Sequence, residues 1–476
     1  MRNSKLYSIL EHFDKYEQNH CRKYISSPYF NKDKTLLNLF NYLTSDIDKH
    51  KSNGHAKNEL SKEKVWSKLK TGREYDDVRF RKYCSDLLKL VEGFLAQKVF
   101  EEKELSKANL LMEAVKRKKL VKLYKSTLRT ARRLSDQLPY RSAPFYYHQY
   151  EIENNYYRLT QFEIKRSDKS NEEEISRNLD YFYLAEKLRL YCSVLSRQNV
   201  SSHTYELAFA DKIIALVEQN NFDDIPPIAI YYQIFLVQTN SSEEHYFKFK
   251  ELLEKYVLLF PPNEGYIIYT YALNYCIHKV NKGNQKFSEE LFSIYRTGIE
   301  NEILLEDGNL SPWHFQNIIM SALRLGKYEW AKQFVEDYQQ KLPESFRENA
   351  YTYSLAQVYF YQKKHDKVIQ LLQEVEYEDV SYNLRSKAML IATYYETDEL
   401  EPLYSLFESF RAYLNRHKDI PPQRRNNYSN LIKFTKKLTK MLPRDKKSLE
   451  KLKQEIRSTK NIASKGWLIE KIAELE

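Results

Sequence analysis

The side chains best suited to chemistry are thinly spread along this chain. Cys21, Cys84, Cys192 and Cys276 lie 63, 108 and 84 residues apart. They form no CxxC pair and no dense framework, so neither a zinc ribbon nor a disulfide scaffold is indicated. None of the eleven histidines is followed by Glu, which removes the HExxH zinc helix. His20-Cys21 and Cys276-Ile-His278 supply two ligands each, where zinc takes three or four. Residues i and i+2 also fail to share a helical face. Asp46-x-Asp48 could open a calcium loop, but Lys51 stands where the sharp turn needs Gly and no Glu closes the loop. No two of the nine glycines are closer than ten positions. That spacing excludes a Walker A loop, a Rossmann phosphate turn and a nucleophile elbow, each of which needs paired glycines. The expectation is a non-enzymatic protein without metal, nucleotide or flavin cofactor.

Charge is distributed unevenly. The chain carries +11 overall, but residues 1–133 hold +14, residues 134–410 hold −14 and residues 411–476 hold +11. Two basic ends flank an acidic middle. The N-terminal run is Lys116, Arg117, Lys118 and Lys119, followed by Arg129, Arg132 and Arg133. The C-terminal run is Arg424 and Arg425, then Lys433, Lys436, Lys437 and Lys440. Both runs interleave with apolar residues at helical spacing, as solvated faces of amphipathic helices do. Such faces could also contact phosphates and position a nucleic acid without reading its sequence.

What elements carry these residues? Of 476 residues 42% are apolar and 30% charged, too apolar for a disordered chain. Nine glycines and thirteen prolines are few, which favours helices joined by short loops and an all-α fold. In the N-terminal region Asp76–Leu95 is the clearest helix, with Phe80, Leu87, Val91 and Phe94 on one stripe. Ser61 is the expected cap of a short helix before it, Asn31 or Asp33 starts another, and Ser45–Asn58 reads as a polar loop. Pro139 and Pro144 interrupt the basic helices that follow. Forty tyrosines recur at helical spacing; their rings suit helix–helix interfaces while the hydroxyls stay wet. The apolar stretches Ile225–Val237 and Tyr266–Ile277 are shorter than the roughly 18 residues of a membrane span. With the cysteine usage and a charged N-terminus, these stretches predict a cytoplasmic protein that does not enter the membrane.

An internal repeat emerges after about residue 225. Its most legible unit, Trp313–Pro343, contains Gly326-Lys327-Tyr328-Glu329-Trp330-Ala331 between two apolar-striped helices. Counterparts of Ala331 are Val368 and Leu403, giving spacings of 37 and 35 residues. Looser units surround Phe249, closed by Pro261, and Glu290. The pattern resembles the tetratricopeptide repeat, whose period is about 34 residues. That resemblance implies a right-handed superhelix of helical hairpins, a TPR-like α-solenoid, over residues 141–416. A basic N-terminal helical region (1–140) would precede it, and basic capping helices (417–476), ending in a helix with Trp467, would follow.

The resemblance also implies a concave face lined by the first helix of each hairpin. The positions concerned are Trp313, Gln316, Met320 and Leu323, then Ala350, Tyr353, Gln357 and Phe360, then Arg385, Ala388, Ala392 and Tyr395. This lining suits a peptide or helix of a protein partner. It departs from the repeats that clamp a C-terminal carboxylate with Lys and Asn, because Gln316, Tyr353 and Ala388, and Met320, Gln357 and Ala392, occupy those places. The implied function is an interaction scaffold; the alternative is a nucleic-acid-associated regulator using the basic ends.

Overall fold

A computed structural model describes residues 1–52, 60–69, 72–160, 169–198, 203–240, 242–373 and 380–476. Among them the chain is all-α, with twenty-three helices packed largely against their sequence neighbours. It divides into two compact units, Met1–Leu184 and Ala185–Glu476.

The first unit opens with α1 (Lys5–Glu11), α2 (Lys15–Ser26), α3 (Lys34–Ser52), α4 (Lys62–Lys68) and α5 (Asp77–Glu102). Their starts are written in side chains. Asp14 and Glu17 close a capping box at α2, Ser61 Oγ accepts from the Lys64 amide at α4, and Asp76 accepts from the Val78 and Arg79 amides at α5. Phe40, Leu43, Trp66, Phe80 and Leu87 form one core. The expected loop over Ser45–Asn58 is helical as far as Ser52, and residues 53–58 lie outside the described residues. Tertiary packing overrides the polar composition there: Ile47 is buried, Asp46 accepts from the Tyr7 hydroxyl at 2.9 Å, and Asp48 pairs with Lys15. Then come α6 (Glu104–Arg117), α7 (Val121–Asp136) and α8 (Ala143–Thr160), sharing a smaller core of Met112, Leu128, Ala131 and Ile152. The boundary between units falls inside α9 (Glu172–Gln198), whose first turn carries Glu172, Glu173 and Glu174 at the positive end of its dipole.

The second unit continues through α10 (Ala210–Gln219), α11 (Pro226–Asn240), α12 (Glu243–Tyr256), α13 (Pro262–Asn281) and α14 (Lys286–Glu300). A two-residue ladder, β1 (Leu305–Glu306) with β2 (Asn309–Leu310), follows; Asp307 and Gly308 both take positive φ in its turn. This two-residue ladder is a local turn in an otherwise helical chain and leaves the all-α class intact. Next come α15 (Pro312–Arg324), α16 (Tyr328–Tyr338), α17 (Glu344–Tyr361), α18 (His365–Leu372), α19 (Val380–Glu396) and α20 (Leu400–Arg416). The chain ends with α21 (Pro422–Leu438), α22 (Lys446–Ser458) and α23 (Lys465–Leu475).

The hairpins α15/α16, α17/α18 and α19/α20 coincide with the three repeats. Each first helix packs on its own second helix and on the next first helix, up to α21. One hairpin cannot bury both apolar faces alone, so stacking completes each core. All three turns are built alike. Gly326, Lys363 and Asp398 take φ of 72°, 57° and 57°. At each, the following amide reaches back to the carbonyl of Ala322, Tyr359 or Tyr394, at 3.0, 2.9 and 2.9 Å. That is the helix-ending bond pattern that satisfies the last carbonyls of a helix.

Tyrosine departs from the expectation of wet hydroxyls. Tyr231 and Tyr246 are almost fully buried, and their hydroxyls donate to Glu264 at 2.8 Å and Glu290 at 2.9 Å. Tyr191 and Tyr256 donate to the carbonyls of Ala208 and Asp223. A buried hydroxyl without a partner would cost about 1–3 kcal/mol, so burying the ring requires an acceptor inside.

Candidate functional site

Three adjoining cavities run along the first helices of the second unit. The middle one, about 410 Å³, lies among α15, α17 and α19, and Trp313, Gln316, Tyr353, Gln357 and Arg385 line it. A larger one, about 670 Å³, continues to α21 and α23 and shares Met320, Tyr353, Gln357 and Arg385 with it. A smaller one of about 230 Å³ extends the line toward α13 and α14 and shares Trp313, Asn317 and Met320. Side-by-side packing of α15, α17, α19 and α21 makes the floor continuous.

Most of the expected concave positions meet here. Phe360, Ala388 and Ala392 join the residues just named on the groove wall. Leu323 and Ala350 do not: each is buried in the core, because the helix turns them away from the cavity. Tyr395 lines none of the three cavities; its ring packs edge-on against Trp467, with centroids 5.6 Å apart. Trp313 stands at the mouth with 69% of its surface exposed, beside the partly exposed Phe346.

Polar groups in the groove are incompletely matched. Arg385 donates to Gln316 Oε1, and Gln357 Nε2 donates to Met320 Sδ at 3.1 Å, a weak acceptor. The other end of each amide, Gln316 Nε2 and Gln357 Oε1, is buried without a partner among the described residues. Arg324, Arg385 and Arg424 all face the groove, and among the described residues no Asp or Glu lines any of the three cavities. Sequence inspection missed Arg324, Arg424 and Trp467 as groove residues. Arg324 sits one residue beyond the inward Leu323, and the other two come from α21 and α23, outside the repeat frame.

The basic runs fare differently from one another. Lys436 pairs with Glu408 at 3.6 Å, and Lys437 with Glu455 at 2.6 Å, so both are engaged within the chain. Lys440 is exposed at the end of that region. In the first unit Lys116 and Arg117 line a polar cavity of about 570 Å³ together with Glu113 and Glu151, and Arg117 pairs with Glu113. Lys118 and Lys119 are exposed in the α6–α7 turn. Beyond them Lys122, Lys125, Arg129 and Arg133 form an exposed stripe on α7, opposite buried Leu128 and Ala131.

Burial pushes the thiols of Cys21 and Cys276 up to about 12 and that of Cys84 up to about 11, so they stay protonated and poorly nucleophilic at neutral pH. Among the described residues no group of three His, Cys, Asp or Glu could hold a metal ion. Among them, too, no helix is long and apolar enough to cross a membrane. Compared with protein-family models, curated proteins and solved structures, the chain matches none.

Proposed function

We propose that the chain is a non-enzymatic interaction protein whose second unit is a tetratricopeptide-like array holding a protein segment in the groove along its first helices. The observation that carries this reading is the convergence of Trp313, Gln316, Tyr353, Gln357 and Arg385, drawn from three successive hairpins, on one continuous cavity line. An exposed tryptophan at the mouth of a groove lined by mixed apolar, aromatic and amide side chains is the kind of anchor that dominates protein interfaces.

Trp313 is the residue on which to test it. Being largely exposed, Trp313→Ala leaves the fold intact, whereas Tyr353 is only 6% exposed and its removal would disturb the core as well. Tagged wild type and Trp313→Ala are compared as baits after nuclease treatment. The proposal expects nuclease-resistant protein partners that the variant loses at unchanged melting temperature. Identical partner sets for the two baits would remove the groove from consideration.

A second reading concerns α7. Its exposed stripe of Lys122, Lys125, Arg129 and Arg133, continued by Lys118 and Lys119, presents cations at intervals suited to a phosphate backbone. The C-terminal lysines support this reading less, since Lys436 and Lys437 already have carboxylate partners.

A further inference from the structure

We infer that the segment taken by this groove is extended and acidic, an inference that rests on the groove being a protein-binding site. Charge comes first. Arg324, Arg385 and Arg424 project into adjoining cavities that no carboxylate of the described residues lines. Among the described residues their neighbours are neutral: Gln316 accepts from Arg385, and the hydroxyls of Tyr361 and Tyr428 lie beside Arg324 and Arg424. Arg324 and Arg385 come from residues 134–410, which carry −14 as a whole, and Arg424 from the basic segment 411–476. Three like charges around a partly dehydrated groove repel one another, and a ligand carboxylate among them relieves that repulsion.

The unmatched amides specify the backbone. Among the described residues Gln316 Nε2 lacks an acceptor and Gln357 Oε1 lacks a donor, and Gln357 is only 8% exposed. An extended peptide offers both a free C=O and a free N–H, as a strand edge does. A helix has spent both internally. A phosphate group offers acceptors alone and leaves the Gln357 oxygen unsatisfied. Trp313 and Phe346, both exposed, supply apolar surface for alternate side chains of such a segment.

The test is a displayed library of random peptides about twelve residues long, panned on the full chain. Enriched sequences should carry Asp or Glu in excess with large apolar residues between them. The synthetic consensus, acetylated and amidated so that its termini carry no charge, should lose about tenfold or more in affinity for Arg385→Ala with Arg424→Ala. It should lose about as much when one central amide is N-methylated, and be unaffected by Lys118→Glu with Lys122→Glu on the first unit. Arg324→Glu, at an exposed position, gives the same answer should the double variant fail to fold. Enrichment of neutral or basic sequences, or normal binding by the arginine variants, overturns the acidic assignment. Tighter binding by a helix-stapled form of the consensus overturns the extended one. No enrichment of any sequence tells against the protein-binding reading itself, a different failure. Displacement of the consensus by a mixed single-stranded oligonucleotide at equal concentration would hand the groove to nucleic acid.

Discussion

His314 lies on the first turn of α15 with 7% of its surface exposed, and its Nε2 meets the Tyr266 hydroxyl at 3.0 Å. Burial holds its imidazole below the ordinary histidine range. Protons therefore bind the unfolded chain more readily than the folded one. The resulting contribution to stability is present above the unfolded value of about 6.5 and is lost as the pH falls from there through the folded value. Melting temperature should accordingly drop between about pH 7.5 and pH 5.5. His314→Gln, which cannot take up a proton, should shrink that drop; an equal drop in both proteins would show that other groups carry it. Nothing around His314 in the sequence marks it as buried. Its environment is made by Tyr266 and Tyr295, from α13 and α14, and both are remote in the chain.

The hairpin turns make the case at the scale of elements. Gly326 was legible in the sequence as a turn because its residue type advertises the left-handed conformation. Lys363 and Asp398 hold equivalent places with the same bonds but no such signature, so only the repeat register pointed to them. A side chain with a Cβ is strained there. Lys363→Gly and Asp398→Gly should each add about 0.5–1 kcal/mol, and together raise the melting temperature by a few degrees. Gly326→Ala should lose about 1 kcal/mol. Thermal melts of the four proteins decide it, and a loss from Lys363→Gly would mean that its side chain contributes more than the strain costs. The α6–α7 turn repeats the arrangement, with Lys119 at φ 54° and the Leu120 amide reaching the Val115 carbonyl at 3.0 Å.

At the largest scale, α23 packs into the core of the second unit. Leu468 and Ile472 of α23 are fully buried in the core that α17 to α22 build, and Trp467 Nε1 donates to Glu396 at 2.8 Å. Lys471 pairs with the same carboxylate at 3.2 Å. Leu468→Ala should therefore cost about 2–5 kcal/mol by denaturant unfolding, against within about 0.5 kcal/mol for Leu442→Ala, which is 72% exposed. Comparable small effects would mean that α23 is frayed. The charge layout yields another expectation at this scale. For single-stranded oligonucleotide retained by the full chain, reversing Lys118, Lys119, Lys122 and Lys125 should flatten the log–log salt dependence by about 3 units. Reversing Lys436 and Lys437, whose partners are Glu408 and Glu455, should act mainly on stability. An unchanged slope in the first variant would remove α7 as a phosphate-contacting face.

The sequence by itself determined the helical class, the hairpin register of the three clear repeats and the absence of paired-glycine phosphate loops. These follow from local spacing, which a helix of 3.6 residues per turn imposes whatever lies around it. Most groove positions on α15, α17 and α19 were legible for the same reason, once one repeat had been aligned. Only the tertiary structure decided that three arginines share one groove, that buried tyrosine hydroxyls find acceptors, and that Lys436 and Lys437 are already paired. Each of these depends on groups from different helices: 69 residues separate Gln316 from Arg385, 44 separate Tyr246 from Glu290, and Lys436 on α21 meets Glu408 on α20. Periodicity tells which face of a helix turns inward. It carries no information about which distant charge or hydroxyl will be waiting there.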